Sequence, residues 1–251
     1  MKNVRAVFGG VSPLFTDPMD PATLEGLRTG KRPQIPKDRP AKEEAAGKVP
    51  TDPDGRIAIP IDNLNSCLVA AGQVVKIGKR QISSAERTDL YDLLTLKGDY
   101  IYLTDGNPSA NGDAKQPTWE TDVRRGVGKQ AKPPTAVAIT RPRFDEWGFV
   151  VEFEYDDTTV DPSNLVKLFE KAGATQGLGG FRPNKGRGRF GRFQILEWHE
   201  TDIPDVRSKI RFTVNGQEVP SLGNGKMPEE PKKKRGKKAE AEAEPAPTTV
   251  A

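Results

Sequence analysis

The sequence predicts an α+β domain, and three observations in its second half support that class. Gly148–Tyr155 alternates apolar and polar residues, which is typical of a strand with one buried face. Asp161 and Pro162 form a helix start, and the apolar stripe that follows continues to a predicted stop at Gly173. Residues 192–198 alternate again. This half is therefore predicted to run strand, helix, loop, strand.

The first half contains weaker signals of the same kind. Residues 4–15 favour one strand bent at Gly9-Gly10, and residues 88–95 fit either a helical turn or a strand. Asp62 or Asn63 is a suitable cap for a helix that Gly72 ends. Further strands are predicted at residues 56–61, 73–82, 100–104 and 136–144, with a hairpin over 211–219 that turns at Asn215-Gly216.

The composition leaves much of the chain outside a core. Only 34% of the 251 residues are apolar, against about 45–50% in typical globular chains. Residues 17–55 and 105–134 are polar and rich in proline or glycine, so we expect mobile insertions there. Residues 221–251 are expected to be a disordered charged tail, which leaves residues 1–220 as a single domain.

Residues 172–193 form the segment with the clearest chemistry. This glycine-rich loop contains five basic residues and no acidic residue. Glycine permits close backbone approach, so main-chain N–H groups and arginines can face phosphates together. The alternative is a solvated surface loop. The residues predicted to bind nucleic acid are Gly177, Gly179, Gly180, Phe181, Arg182, Lys185, Gly186, Arg187, Gly188, Arg189, Phe190 and Arg192.

Aromatic residues in the same loop suggest base stacking. Phe181 and Phe190 are candidates, because single-stranded nucleic acid is commonly bound on aromatic side chains. Phe193 alternates with Ile195 and is predicted to lie in the core instead. Trp147 and Trp198 are expected to pack at the sheet margin.

Other site chemistries find little support. The lone Cys67 excludes an internal disulfide, and the lone His199 excludes a two-histidine acid–base pair and remains a weak catalytic candidate. Asp156, Asp157 and Asp161 favour capping over cation binding. No cofactor or metal is expected. The N-terminus lacks a signal-peptide pattern and no apolar window is long enough for a membrane span, so we expect a cytoplasmic protein.

The loop and its flanks resemble the RAMP superfamily, RNA-binding proteins that include subunits of CRISPR effector complexes. Gly177-Leu178-Gly179 and Gly186-Arg187-Gly188 resemble its G-x-G signature, with a basic spacer over residues 180–185. Two departures are the spacer length and Gln176, where the signature has a hydrophobic residue. The resemblance implies a ferredoxin-like (RNA-recognition-motif-like) antiparallel sheet with helices on one face, single-stranded RNA as the partner, and self-association along the strand.

Residues 136–198 also resemble a family of uncharacterised phage and prophage proteins, which implies a bacterial or phage-infected cell but no function. Three functions therefore stay open. The first is a non-enzymatic module that binds single-stranded RNA or DNA. The second is a metal-independent endoribonuclease of the RAMP type, with His199 as its acid or base. The third is a structural or assembly protein of a phage.

Overall fold

In a computed structural model the chain divides into two units, Met1–Pro204 and Asp205–Ala251. The division falls after Pro204, whereas the sequence suggests a boundary after residue 220. The structure describes residues 1–19, 21–31, 39–106, 108, 115–128, 135–184, 188–203, 212–214 and 217–219.

The strands follow the sequence prediction closely at residues 100–104, 136–144, 148–155 and 193–198, and less closely at residues 73–82. They are β1 (Lys2–Gly10), β2 (Leu14–Phe15), β3 (Ala58–Pro60), β4 (Lys76–Ile77), β5 (Arg80–Gln81), β6 (Leu94–Leu96), β7 (Tyr100–Thr104), β8 (Glu120–Gly128), β9 (Thr135–Phe144), β10 (Gly148–Tyr155), β11 (Phe193–Asp202), β12 (Phe212–Val214) and β13 (Gln217–Val219).

The helices are short apart from the two that cover the sheet. They are α1 (Pro21–Thr29), α2 (Ala41–Ala46), α3 (Ile61–Gly72), α4 (Leu90–Leu93) and α5 (Pro162–Lys171), and α5 continues into a π-helical turn, Ala172–Gln176.

The central sheet has the strand order β11-β1-β10-β7-β3, and β6 pairs with β10 beside β7. Its paired strands are antiparallel. Along the chain, β1 leads through α3 to β7, and β10 leads through α5 to β11. The predicted α+β class is confirmed.

One face of this sheet builds the core together with α3 and α5. Phe8 stacks on Phe149 with ring centroids 4.8 Å apart, and Phe153 stacks on Phe169 of α5 at 5.2 Å. The four rings are fully buried. In β10, Val151 and Tyr155 are buried beside Phe149 and Phe153, which confirms the predicted alternation.

The opposite face of the sheet, which we call the outer face, carries polar and charged side chains. Arg5 of β1 lies across from Glu152 on one side and from His199 on the other. Val150 and Glu152 are only half-buried, because neither helix covers this face.

A second sheet has the order β2-β9-β8. β8 and β9 form a long hairpin paired from Glu120 with Arg143 to Gly128 with Thr135. β2 follows the bend after β1 and pairs with the end of β9, with Leu14 opposite Phe144. This hairpin projects from the central sheet next to the segment that follows α5.

The two predicted insertions contain regular structure in their described residues. α1 and α2 lie within 17–55, and all of β8 lies within 105–134. Ala45 of α2 is fully buried, and Lys48 donates a hydrogen bond to the Thr140 carbonyl of β9 at 2.7 Å. Because α2 packs on the hairpin, few apolar residues are enough to order it. The mobility of these segments stays a prediction.

Local boundaries differ from the predictions in two places. The expected strand over 73–82 is a small hairpin, β4–β5, because Gly78 adopts φ 61° and reverses the chain. α3 begins at Ile61, with Pro60 as its N-cap and no side-chain cap from Asp62 or Asn63.

In the second unit, β12 and β13 form an antiparallel pair in which Val214 lies opposite Gln217. This confirms the predicted hairpin, whose turn residues 215–216 and the tail 221–251 lie outside the described residues.

Candidate functional site

α5 positions the start of the glycine-rich loop. The Asp161 carboxylate accepts a hydrogen bond from the Ser163 N–H at 2.8 Å, as the sequence predicts for an N-cap. The helix does not stop at Gly173, however, because the π-helical turn carries it to Gly177, which has φ 69°. A Cβ at Gly173 would overlap the Phe193 carbonyl, so this glycine serves close packing of the turn on β11.

The loop folds back on itself and on the bend between β1 and β2. The Leu178 side chain is fully buried, and its N–H donates to the Gly191 carbonyl at 2.8 Å. The Gly180 N–H donates to the Phe15 carbonyl at 2.7 Å, and the Gly191 N–H donates to the Pro13 carbonyl at 2.9 Å. These N–H groups are therefore satisfied within the protein.

Several glycines are required by contacts within the protein. Gly179 and Gly191 have φ of 71° and 68°, and a Cβ on either would overlap a carbonyl oxygen, that of Phe15 or of Leu178. A Cβ on Gly188 would overlap the Phe181 carbonyl. Glycine at these positions thus lets backbone segments of the loop pack closely. The sequence alone does not distinguish this structural role from close approach of the backbone to a phosphate.

Phe181 and Phe190 anchor the loop to the β8–β9 hairpin. Both rings meet the buried Phe15 ring edge-on, with centroids 6.2 and 4.8 Å away. The Arg141 guanidinium lies 4.4 Å from the Phe181 centroid, and the Arg124 guanidinium lies 4.8 Å from that of Phe190. Both rings are half-buried. Their role as base-stacking platforms stays a prediction.

Phe181 is also the one described non-glycine residue with positive φ, at 50°. A bulky residue in this region is strained and is held there by its surroundings. The contacts to Phe15 and Arg141 supply that restraint and fix the conformation at the entrance to the basic segment.

The loop arginines differ from those of the hairpin in their charge pairing. Arg189 and Arg192 are exposed and Arg182 is half-buried, and none of the three has an ion pair with a described residue. Arg124 pairs with Asp122 at 2.6 Å, and this hydrogen bond raises its pKa. Lys185, Gly186 and Arg187 lie outside the described residues.

A cleft of about 530 Å³ opens beside the loop, at the start of α3. Its lining includes Asn63, Gly180, Phe181 and two arginines. Arg141 is paired with Asp17 at 2.6 Å, yet its buried Nη1 has no hydrogen-bond partner among the described residues, and neither has the buried Nε of Arg182. Buried donors without a partner are rare in folded proteins.

Sequence reasoning did not place Arg124 and Arg141 at the site. Both precede the loop by many residues, and only the pairing of β8 with β9 brings them together. The signal that was present is the pair of arginine-containing segments, 124–129 and 141–143.

His199 lies apart from the loop. It is exposed on the outer face, and its Nε2 lies 2.8 Å from Oε2 of Glu197. Six residues of strand separate it from Arg192, a distance of roughly 20 Å.

The acidic residues and the cysteine have structural partners. The Asp156 carboxylate accepts from the Thr158 N–H at 3.0 Å, and Asp157 pairs with the N-terminal amine at 3.0 Å. Within the described residues, no three His, Cys, Asp or Glu side chains cluster to hold a metal ion. Cys67 is buried, and desolvation raises the pKa of its thiol to about 12. The described helices include none that is long and apolar enough to cross a membrane.

The tryptophans and Phe193 complete the comparison with the sequence predictions. Phe193 is 2% exposed and lies in the core, as predicted. Trp147, which was expected at the sheet margin, is buried against Phe149, and its indole N–H donates to the Ser12 carbonyl at 2.8 Å.

Comparisons with known proteins add little. No protein-family model matches the chain, and no curated protein sequence matches it. Among solved structures, Cmr6 from Pyrococcus furiosus is similar over 78% of this chain and 99% of its own, with 13% sequence identity and a TM-score of 0.36. A similarity at that level carries no functional argument, so the function is argued from the chain's own residues.

Proposed function

We propose that this protein binds single-stranded nucleic acid, RNA in the first place, and contacts its phosphates through the glycine-rich loop. The observation that carries the proposal is the lack of acidic partners for Arg182, Arg189 and Arg192 among the described residues, in a segment that itself contains no acid. Unpaired guanidinium groups attract phosphates and give binding that weakens with salt.

The fold supports the same proposal. The order β11-β1-β10-β7, with α3 and α5 as crossover helices, is the arrangement expected of a ferredoxin-like domain, and we propose that class for the first unit. The loop then joins the last helix to the last strand. Arg182 borders the cleft beside it and has no acidic partner among the described residues, so the proposed phosphate contacts include this cleft as well as the exposed arginines.

Fluorescence anisotropy with labelled single-stranded RNA and DNA tests the proposal. Replacing Arg189 and Arg192 with alanine should weaken binding and flatten its salt dependence. The matched control removes two arginines elsewhere, Arg80→Ala with Arg87→Ala, both of which are paired with Asp89. Equal losses in the two double variants would point to nonspecific charge and contradict a loop site. Lys185 and Arg187 are further targets.

The same protein preparation separates the alternative functions. Incubation with structured RNA in EDTA tests for a ribonuclease, and fragments that disappear in His199→Ala would favour that activity. Recovery in purified virions without any nucleic-acid binding would favour a phage structural role. Self-association along a strand and a cytoplasmic location stay predictions.

A further inference from the structure

The outer face of the sheet holds a second cavity, of about 560 Å³, which the proposed loop site does not use. Tyr100 and Tyr102 of β7 line one side, and Arg5, Val150 and Glu152 line the other. The volume is within the range of about 300–1,000 Å³ that is usual for small-molecule sites.

Tyr102 and Arg56 form a preassembled flat wall. The Arg56 guanidinium carbon lies 4.2 Å from the Tyr102 ring centroid, and its Nη2 donates to the Tyr102 hydroxyl at 2.7 Å. Tyr102 remains 40% exposed, so part of its surface is open to a ligand. The guanidinium lies over one face of the ring, and the outward face of either group in such a stack is a suitable surface for another flat ring.

Asp52 holds this wall in place. Its carboxylate is buried and accepts hydrogen bonds from the Arg56 N–H and the Arg56 Nε, both at 2.9 Å. Burial by itself would raise the pKa of Asp52, but the hydrogen bonds from Arg56 lower it below the ordinary value. The carboxylate stays charged, and the guanidinium is fixed before any ligand arrives.

The cations of this cavity are neutralised by the protein. Arg5 pairs with Glu152 at 3.1 Å, Lys97 pairs with Glu154 at 2.6 Å, and Arg56 pairs with Asp52 at 2.8 Å. A phosphate would have to compete with a carboxylate at each of them. The cavity therefore favours an uncharged ligand with flat faces.

Hydrogen-bonding groups at the rim fit the edge of such a ring. The Gln116 Oε1 accepts from the Ile57 N–H at 3.3 Å, which leaves its amide nitrogen available to donate. The Thr104 hydroxyl donates to the Asp105 carbonyl at 3.1 Å and keeps its oxygen lone pairs for accepting.

We propose that this cavity binds one purine or pyrimidine ring, stacked on the Tyr102–Arg56 wall. Two kinds of ligand present such a ring: a nucleic-acid strand, through one of its bases, and a free nucleoside. The site does not depend on the proposed loop function, because it recognises the base and makes no use of the loop arginines.

Ligand-observed NMR with adenosine and uridine, and with their 5′-monophosphates, tests the site. We expect an uncharged nucleoside to bind as tightly as its monophosphate, with little change between low and high salt. Tyr102→Leu should weaken binding by roughly 5- to 150-fold, as expected for loss of one stacking contact. Tyr102→Phe keeps the ring and should bind nearly as well as the unmodified protein.

Tyr91→Leu is the matched control, because Tyr91 is 65% exposed on α4 and does not line the cavity. Thermal unfolding of each variant verifies that it is folded. Absence of binding by every nucleoside, a clear preference for the monophosphates, or equal affinity in Tyr102→Leu would overturn the proposal.

Competition separates the two kinds of ligand. If a single-stranded oligonucleotide displaces adenosine, the cavity takes a base of the bound strand, and if it does not, the cavity takes a free nucleoside. Either result supports the site. Arg189→Ala with Arg192→Ala should leave adenosine binding unchanged, so failure of the loop proposal and failure of this one give different results.

Discussion

The glycine-rich loop and the outer face of the sheet both place arginines beside a cavity of similar size, about 530 and 560 Å³, but they differ in charge pairing. Arg182, Arg189 and Arg192 of the loop have no acidic partner among the described residues, whereas Arg5 and Arg56 on the outer face are each held by a carboxylate. We propose that this pairing decides the ligand class, because a free guanidinium attracts phosphate and a neutralised one offers a flat surface.

The two regions also differ in how their backbones are held. The outer face lies on regular strands, so its side chains are positioned by the sheet register. The loop is held by glycines that pack against carbonyl oxygens and by Phe181 at φ 50°. Replacing glycines of the loop should therefore reduce the free energy of unfolding more than replacing side chains on the outer face of the sheet.

Gly191→Ala gives the largest expected effect. Gly191 combines φ 68° with a position where a Cβ would overlap the Leu178 carbonyl, so we expect a loss of about 3 kcal/mol or more in unfolding free energy. Gly78→Ala is the control, since Gly78 has φ 61° but open space around it, and should cost about 1–2 kcal/mol. Chemical denaturation measures both. Equal losses would mean that backbone strain alone, and not close packing, constrains the loop.

Arg189→Ala with Arg192→Ala should have the next largest effect. Loss of two phosphate contacts should weaken single-stranded RNA binding roughly tenfold and make the slope of log affinity against log salt shallower by about 1.4. Anisotropy titrations over a range of salt concentrations measure both quantities. A weaker affinity with an unchanged slope would indicate that the arginines support the loop structure and do not contact phosphates.

Arg124→Ala tests whether the hairpin supports the loop. The Arg124 guanidinium lies 4.8 and 4.9 Å from the Phe190 and Phe15 centroids, and losing these contacts should reduce unfolding free energy by about 1 kcal/mol. Arg125→Ala removes the same charge from an exposed neighbour and should change stability little. If the two variants were equally stable, the cation–π contacts would not anchor the loop.

Cys67 gives the smallest expected effect on stability, but the reactivity of its thiol reports whether the loop stays packed against α3. Its Sγ lies 3.7 Å from the Ala172 carbonyl, and desolvation raises the thiol pKa to about 12 from an ordinary 9.0. The thiol pKa is higher in the folded protein than in the unfolded chain. Burial of the neutral thiol therefore contributes fully to the free energy of unfolding below about pH 9, and that contribution is lost as the pH rises towards 12.

Alkylation by iodoacetamide at mildly alkaline pH should therefore be slow in the native protein. It should become faster in Gly191→Ala, because a displaced loop exposes the thiol, and should stay slow in Gly78→Ala. Rapid alkylation of the unmodified protein would contradict the buried, protonated state.

Short-range patterns account for the elements that the sequence predicts well. The alternation of Gly148–Tyr155 fixes which side chains face the core, and the Asp161 cap depends only on the residue two positions later. The Asn215-Gly216 pattern similarly predicts a hairpin, and β12 pairs with β13 as that prediction requires. The end of α5 was missed, because Gly173 is required by the approach of Phe193, a contact that local sequence does not show.

By itself, the sequence determined the α+β class, the position of the glycine-rich loop between a helix and a strand, and its excess of positive charge, since these follow from periodicity, capping and composition. The tertiary structure alone decided what the loop contacts. β8 and β9 must pair before Arg124 and Arg141 can lie over Phe190 and Phe181, and β3 must pair with β7 before Arg56 can lie over Tyr102. Such contacts join residues far apart in the chain, and no local pattern encodes them.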